Sequence, residues 1–364
     1  MKLKKMIVTF AKTAGLAAFA VVFGEIFIRI AEPQPLMPRY VTGTDFGVRG
    51  NVPGANYWHV TPEVTVNMRI NSQRMRADRE YAVEKPAGVC RAAIFGDSFF
   101  MGYELDLPDT FPLQAEQILA NRGYNVEFLN FAVSGFGTAE MIRNYENLAR
   151  PFSPDIVLFQ LHKTDVADNL RANLFDFQDG VVTPTKRTYM PAVKLQDRLN
   201  RFALYRLVAD NSHMYSFLRE WASVEIRKVM ASYRSAVSGK PVVADTEESD
   251  DVPQQPIGIE LTGALLSYAQ LEVTADGVEF LVVDVPGGFG TQVGASATLN
   301  VPPQKLAGLT IISPREKFLA AASQGTKLYY EKGHRHLTPK GAKIVAQLVA
   351  DKLVQSSKLQ SCRK

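Results

Sequence analysis

The stretch RAAIFGDSFFMG, residues 91–102, decides how the rest of the chain is read. Ala92-Ala93-Ile94-Phe95 is an apolar run with the length of a buried strand, and Gly96-Asp97-Ser98 follows at once. A short apolar run ended by glycine is how a central parallel strand reads where it delivers a residue to the carboxyl edge of its sheet. Ligands of open α/β sheets bind at that edge, so Ser98 stands where a nucleophile is useful. The same residues also fit an ordinary strand-to-helix turn with Ser98 as its N-cap.

Working outward, residues 91–170 alternate strand and helix in the βαβ manner. Helices are expected over 110–121 and 138–148, and strands over 126–130 and 154–161. The third strand ends in His162-Lys163-Thr164-Asp165. Residues 171–256 break the rhythm. Leu195, Leu199, Phe202 and Leu207, then Tyr215, Leu218, Trp221 and Val224, carry helical spacing with many basic residues between them. They read as amphipathic helices packed on the main domain; a lid, or helices lying on a membrane, is the sharper alternative. The acidic, proline-containing run 245–256 reads as a flexible exposed loop. From Ile257 the α/β pattern resumes, with a helix over 259–271, a strand over 278–284, a shorter strand over 309–312 and a helix from Pro314. A basic amphipathic helix over 340–353 closes the domain. The glycine-rich run 287–299 lacks a Lys-Ser/Thr pair, so it is not read as a nucleotide site.

The 364 residues allow one large or two small domains, and 46% hydrophobic with 21% charged residues describes a globular chain. A net charge of +4, dispersed along the sequence, gives no argument for nucleic acid as a partner. The two cysteines, Cys90 and Cys362, belong to no CxxC or Cys/His pair, so no structural zinc is expected. A disulfide between them requires an oxidising compartment; the simpler reading leaves Cys90 as a small residue entering the strand and Cys362 in a frayed tail.

The chain starts Met1-Lys2-Leu3-Lys4-Lys5, and apolar residues dominate from Met6 to Ile30, interrupted by Lys12, Glu25 and Arg29. About 20 apolar residues cross a bilayer, and this segment reaches that length if Lys12 snorkels towards the basic end. The lysines then stay in the cytoplasm and the rest of the chain lies outside. A single-pass inner-membrane anchor is the favoured reading, because apolar residues continue past Ala20. The alternative is a cleaved signal, with Ala18-Phe19-Ala20 as the cleavage site and a secreted or periplasmic product.

Transfer of an acyl group to serine needs a hydroxyl, a base to take its proton and donors for the developing oxyanion. Ser98, His336 and the backbone N–H groups of Ser98 and Gly135 fill those roles in principle. Gly135 suits a donor position because no Cβ obstructs an approaching carbonyl oxygen. The blocks GDSF, NFAVSGFG, PDIVLFQLHKTDVADN and HLTPKG, in that order, resemble those of the SGNH (GDSL-type) hydrolases, over roughly Ile70 to Val354 apart from 171–256. The resemblance implies a flavodoxin-like three-layer α/β/α fold around a parallel sheet. It also implies ester hydrolysis or acyl transfer, often with acyl groups on carbohydrate, with Ser98 as nucleophile, His336 as base and Gly135 as an oxyanion donor. The domain reading is an anchor over 1–32, a linker with an accessory strand over 33–89, a hydrolase-like domain over 90–356 with a helical insertion, and a tail over 357–364.

Two departures from the family pattern stand out. Its third block usually has Asn before Asp, with the amide aimed into the oxyanion hole; here Thr164 stands there, a weaker donor. Its last block has Asp two or three residues before His; here His334 and Gly333 stand there. The expected consequence is a Ser-His dyad with the acid position replaced by His334. His162, His334 and His336 lack a helpful carboxylate or cysteine, so no metal and no cofactor is expected. The rival reading is a catalytically degenerate domain that binds a glycan or a partner.

Overall fold

The computed structural model describes residues 2–238, 256–299 and 301–363. The run 239–255, which holds nearly all of the expected acidic loop, lies outside the described residues. The chain opens with helix α1 (Lys2–Ala31), followed by hairpins β1 (Val41–Gly43) with β2 (Arg49–Asn51) and β3 (Asn56–Val60) with β4 (Thr65–Arg69). Then come β5 (Cys90–Phe95), α2 (Ser98–Met101), α3 (Phe111–Asn121), β6 (Val126–Asn130), α4 (Thr138–Asn144), β7 (Ile156–Leu161) and α5 (Asp165–Ala172). The insertion holds a hairpin, β8 (Phe175–Gln178) with β9 (Val181–Pro184), and helices α6 (Val193–Leu199), α7 (Ala203–Asn211) and α8 (His213–Ser238). The rest is α9 (Pro256–Ala275), β10 (Glu279–Asp284), the small hairpin β11 (Gly288–Phe289) with β12 (Gln292–Val293), α10 (Pro303–Leu306), β13 (Thr310–Ile312), α11 (Arg315–Ser323), α12 (Pro339–Val354) and α13 (Ser357–Gln360).

Five strands form one all-parallel sheet in the order β6-β5-β7-β10-β13. This is the doubly wound order, in which the chain leaves the sheet's first strand to one side and returns to build the other. Its switch point lies between β5 and β7, so the turns after those two strands face one crevice. Both strands are buried at every position, as expected for parallel strands covered on both faces. One core layer joins the sheet to α3, α11 and α12, the other to α4 and α9. The α/β three-layer expectation holds.

Three local expectations change. The segment 33–89, read as a linker with one strand, carries two hairpins whose Tyr57, Val66 and Met68 enter the core. The insertion begins with a strand hairpin that helical spacing did not announce. The C-terminal residues are not frayed: Ser357–Gln360 is a helical turn, and Cys362 is buried and disulfide-bonded to Cys90, with Cα atoms 5.6 Å apart. The tail is drawn in because Asn125 donates its N–H to the Cys362 carbonyl and Tyr124 bridges to Arg363. That brings the two thiols together across 272 residues of sequence.

Helix α1 is long and apolar enough to cross a membrane over Lys4–Ala31, with none of that stretch buried in the protein. Length and composition fit an anchor and a signal sequence alike.

Candidate active site

The Ser98 turn is stapled by a buried amide. Gln160, on β7, accepts the N–H groups of Asp97 (3.1 Å) and Phe100 (3.2 Å) and donates to Asp97 Oδ1 (2.7 Å). Asp97 Oδ1 in turn accepts the Phe99 N–H at 2.7 Å, so Asp97 rather than Ser98 caps α2. This leaves the Ser98 hydroxyl free of capping duty. Gly96 is required for steric reasons: a Cβ there would overlap Gln160 and the Phe100 side chain. Ser98 itself is half-buried at the mouth of the crevice.

His336 comes from the loop between α11 and α12, and its Nε2 lies 2.7 Å from Ser98 Oγ. Its ring is buried and packs against Phe99 and Tyr103. The other ring nitrogen does not face a Ser-His dyad's empty side. Glu104 Oε2 lies 3.4 Å from His336 Nδ1, close enough for charge but not aligned as a hydrogen bond. The Glu104 carboxylate is fully buried and accepts the backbone N–H groups of His334 (Oε1, 3.0 Å) and His336 (Oε2, 3.0 Å). Burial would raise its pKa, but the side chain and backbone N–H of His336 and the neighbouring His334 bring it down to about 2. Glu104 is therefore a carboxylate at any pH near neutral.

Glu104 fills the space that the sequence pattern left empty. Gly333 occupies one of the expected acid positions with φ +80°, and a Cβ there would overlap Glu104 Oε1. The glycine is there because a carboxylate arrives from elsewhere. His334, at the other position, turns its ring towards His59 of β3, with centroids 5.1 Å apart. Burial, with the charge of neighbouring groups, lowers His334 to about 4 and His59 to about 3. Both rings are neutral at neutral pH. Glu104 was missed in the sequence. The signal was its place as the sole carboxylate in the apolar run from Phe99 to Leu105; nothing linear connects it to His336.

The side expected to serve an oxyanion, around Gly135 and Thr164, is less uniform. Gly135 follows β6 with φ +72°, a conformation glycine adopts without strain. Arg49 Nη2, from β2, donates to the Gly135 carbonyl at 2.7 Å and lies 3.5 Å from the fully buried Glu140. Burial outweighs Arg49 and pushes Glu140 up to about 7. Thr164 Oγ1 lies 2.9 Å from His162 Nδ1, so its hydroxyl is engaged with that ring. His162 is buried between Phe99 and the turn, with Asp97 Oδ2 at 3.8 Å, and burial lowers its pKa. A second residue from the accessory segment, the buried Arg76, donates to the carbonyls of Met101, Gly102 and Leu105. It clamps the loop that carries Glu104.

No family model matches the sequence, and no curated protein matches it. Among solved structures the chain is similar to an acetyl xylan esterase, AlAXEase, at 11% identity and TM-score 0.38, covering 72% of this chain and 99% of that one. It is also similar to the lipase/acylhydrolase from Enterococcus faecalis (11%, TM-score 0.40, 72% and 95%). A third is a two-domain esterase active on acetylated mannans (9%, TM-score 0.40), of which 51% is covered by 76% of this chain.

Proposed function

We propose that the chain is an SGNH-type serine esterase or O-acyltransferase acting on O-acyl groups, carbohydrate esters among them, outside the cytoplasm. The observation that carries the reading is the line Ser98–His336–Glu104: a hydroxyl 2.7 Å from one ring nitrogen and a buried carboxylate 3.4 Å from the other. A nucleophile, its base and an orienting anion are the parts of acyl transfer to serine. In this reading His336 carries its proton on Nδ1, towards Glu104, and accepts the Ser98 proton at Nε2. Ser98 Oγ attacks the ester carbonyl, and the N–H groups of Ser98 and Gly135 receive the negative oxygen. Collapse expels the alcohol, which takes the proton from His336 Nε2. Water or a sugar hydroxyl then gives its proton to the same nitrogen and attacks the acyl-enzyme; collapse of this second intermediate breaks the bond to Ser98 Oγ, which takes the proton back from Nε2, and releases the acid or the new ester. Glu104 holds the ring's orientation and offsets the charge that develops on it.

Two features support this location. Lysines precede the apolar helix α1, which favours a cytoplasmic N-terminus and an external domain. The buried Cys90–Cys362 disulfide suits an oxidising compartment. The hydrolase domain then begins near residue 90, with 33–89 serving as its brace. The rival reading, a degenerate binding domain, draws on one observation: Thr164 replaces the usual amide and its hydroxyl is engaged with His162.

The test is labelling with a fluorophosphonate. Fast labelling of the wild type and none of Ser98→Ala is expected, because only an activated serine reacts quickly. Absence of labelling in a folded wild type would support the binding module and sink the enzyme reading.

A further inference from the structure

Helix α7 wears its apolar stripe on the outside. Leu204, Leu207 and Val208, at the three- and four-residue spacing of one helix face, are 73%, 63% and 40% exposed, while Ala209 is buried and Tyr205 turns inward to meet Tyr215 at 2.9 Å. Phe202, just before the helix, is 62% exposed; Leu218 and Trp221 of α8 are 47% and 60% exposed. A domain seldom leaves so many large apolar side chains exposed along one segment without a partner for them.

What lies beside this surface identifies the partner. The junction of α7 and α8 is fastened to the last turns of α1. Glu25 accepts the Ser212 hydroxyl (2.7 Å) and the N–H groups of His213 (3.0 Å) and Met214 (2.9 Å), which satisfies the start of α8. Arg29 pairs with Glu25 at 3.0 Å and donates to the Asn211 carbonyl at 2.9 Å. From Met6 to Glu25 the helix rises about 30 Å, the thickness of a bilayer's hydrocarbon core. When α1 spans the membrane, Glu25 comes level with the outer boundary and α7 is held at that depth. The chemistry fits this level: Arg198, Arg201, Arg206 and Arg219 are exposed in the same segment, and Trp221 is a residue type enriched at such interfaces.

We infer that α7 and the first part of α8 lie in the outer interface of the bilayer that α1 crosses. Their apolar side chains enter the acyl region and their arginines meet acidic lipid headgroups. The inference rests on the anchor part of the proposed function. It would hold the crevice that contains Ser98 at the membrane surface, where it meets substrates made or carried there.

The test uses the full chain with Trp58→Phe, which leaves Trp221 as its one tryptophan. The protein is reconstituted in phosphatidylcholine–phosphatidylglycerol vesicles with acyl chains brominated near the headgroups. Interfacial helices sit about 5–10 Å into the boundary, so Trp221 emission should fall roughly twofold or more. It should recover in Leu204→Glu/Leu207→Glu, a variant checked for its fold by near-UV circular dichroism. Flotation of the vesicles after an alkaline wash reports separately on α1. Protein that floats with its Trp221 unquenched would overturn the inference and leave the anchor standing. Protein that does not float removes both. Shielding of Trp221 from aqueous iodide without quenching by the lipid would assign the surface to a second copy or another protein, and would also overturn it.

Discussion

The two halves of the site are built in opposite ways. The Ser98 turn is fixed by its own neighbours and one amide: Gly96 gives room, Asp97 caps α2, and Gln160 on the adjoining strand closes the network. The His336 loop has no helix or strand between Gly325 and Leu337, only the single bridge of Tyr329 with Leu337, and both Gly333 and Arg335 have positive φ. Carboxylates remote in sequence give it shape. Glu63, from the turn between β3 and β4, accepts the N–H groups of Glu331 and Lys332; Glu104 accepts those of His334 and His336. A regular element satisfies its own backbone, whereas a loop must borrow partners. The Ser98 turn is therefore held mainly by its own strand and the one beside it, and the His336 loop by carboxylates from other elements, which makes the His336 loop the more fragile half.

The sharpest way to break this contrast is Glu104→Gln. Loss of the orienting anion should lower kcat by about 10³–10⁴-fold on a p-nitrophenyl acyl ester. His334→Asp, which puts a carboxylate where the family pattern has one, should bring no gain, because Glu104 already fills that space. A faster His334→Asp enzyme, or a Glu104→Gln enzyme at full rate, would show that the carboxylate does not serve the base.

Removing the disulfide tests the other half. It ties the start of β5, the strand that carries Ser98, to the end of the chain. Cys90→Ala/Cys362→Ala should cost about 2–5 kcal/mol in urea unfolding, while kcat per folded molecule stays near the wild-type value. A large loss of kcat in the folded variant would mean that the Ser98 turn depends on distant restraint as well.

Gly333→Ala should cost about 1–3 kcal/mol, since it combines a left-handed backbone with a Cβ overlapping Glu104. Because the displaced group is the carboxylate, kcat should fall as well, and the companion Gly88→Ala, also at positive φ but with open space around it, should leave kcat alone. Equal kinetic effects of the two would remove the special role given to Gly333.

The smallest expected effect is on acid stability. His59 has an ordinary value of 6.5 and is held at about 3 by burial, so the folded state takes up its proton later than the unfolded chain does. Its contribution is complete above pH 6.5 and is lost as pH falls towards 3. His59→Phe should make thermal stability less steep in pH across that window. An unchanged slope would mean that His59 is solvated, not buried neutral.

Much of this protein was legible in the sequence. The strands VEFLN and EFLVVD and the GDS turn follow from periodicity and glycine placement, which are local properties of the chain. So is the apolar character of α1, whereas the order of the blocks and the pairing of Ser98 with His336 as candidates came from the resemblance to the SGNH hydrolases. Three things were decided only by tertiary structure. Glu104 becomes the partner of His336 because the α2 loop and the last loop close on each other, and no sequence spacing encodes that approach. Cys90 and Cys362 meet because the tail pairs beside Tyr124 at the foot of the sheet. Whether Leu204 and Leu207 point into a core or away from it depends on which side of α7 packs, and helical spacing alone is the same for both. Periodicity fixes which residues share a face; only the packed chain decides what that face meets.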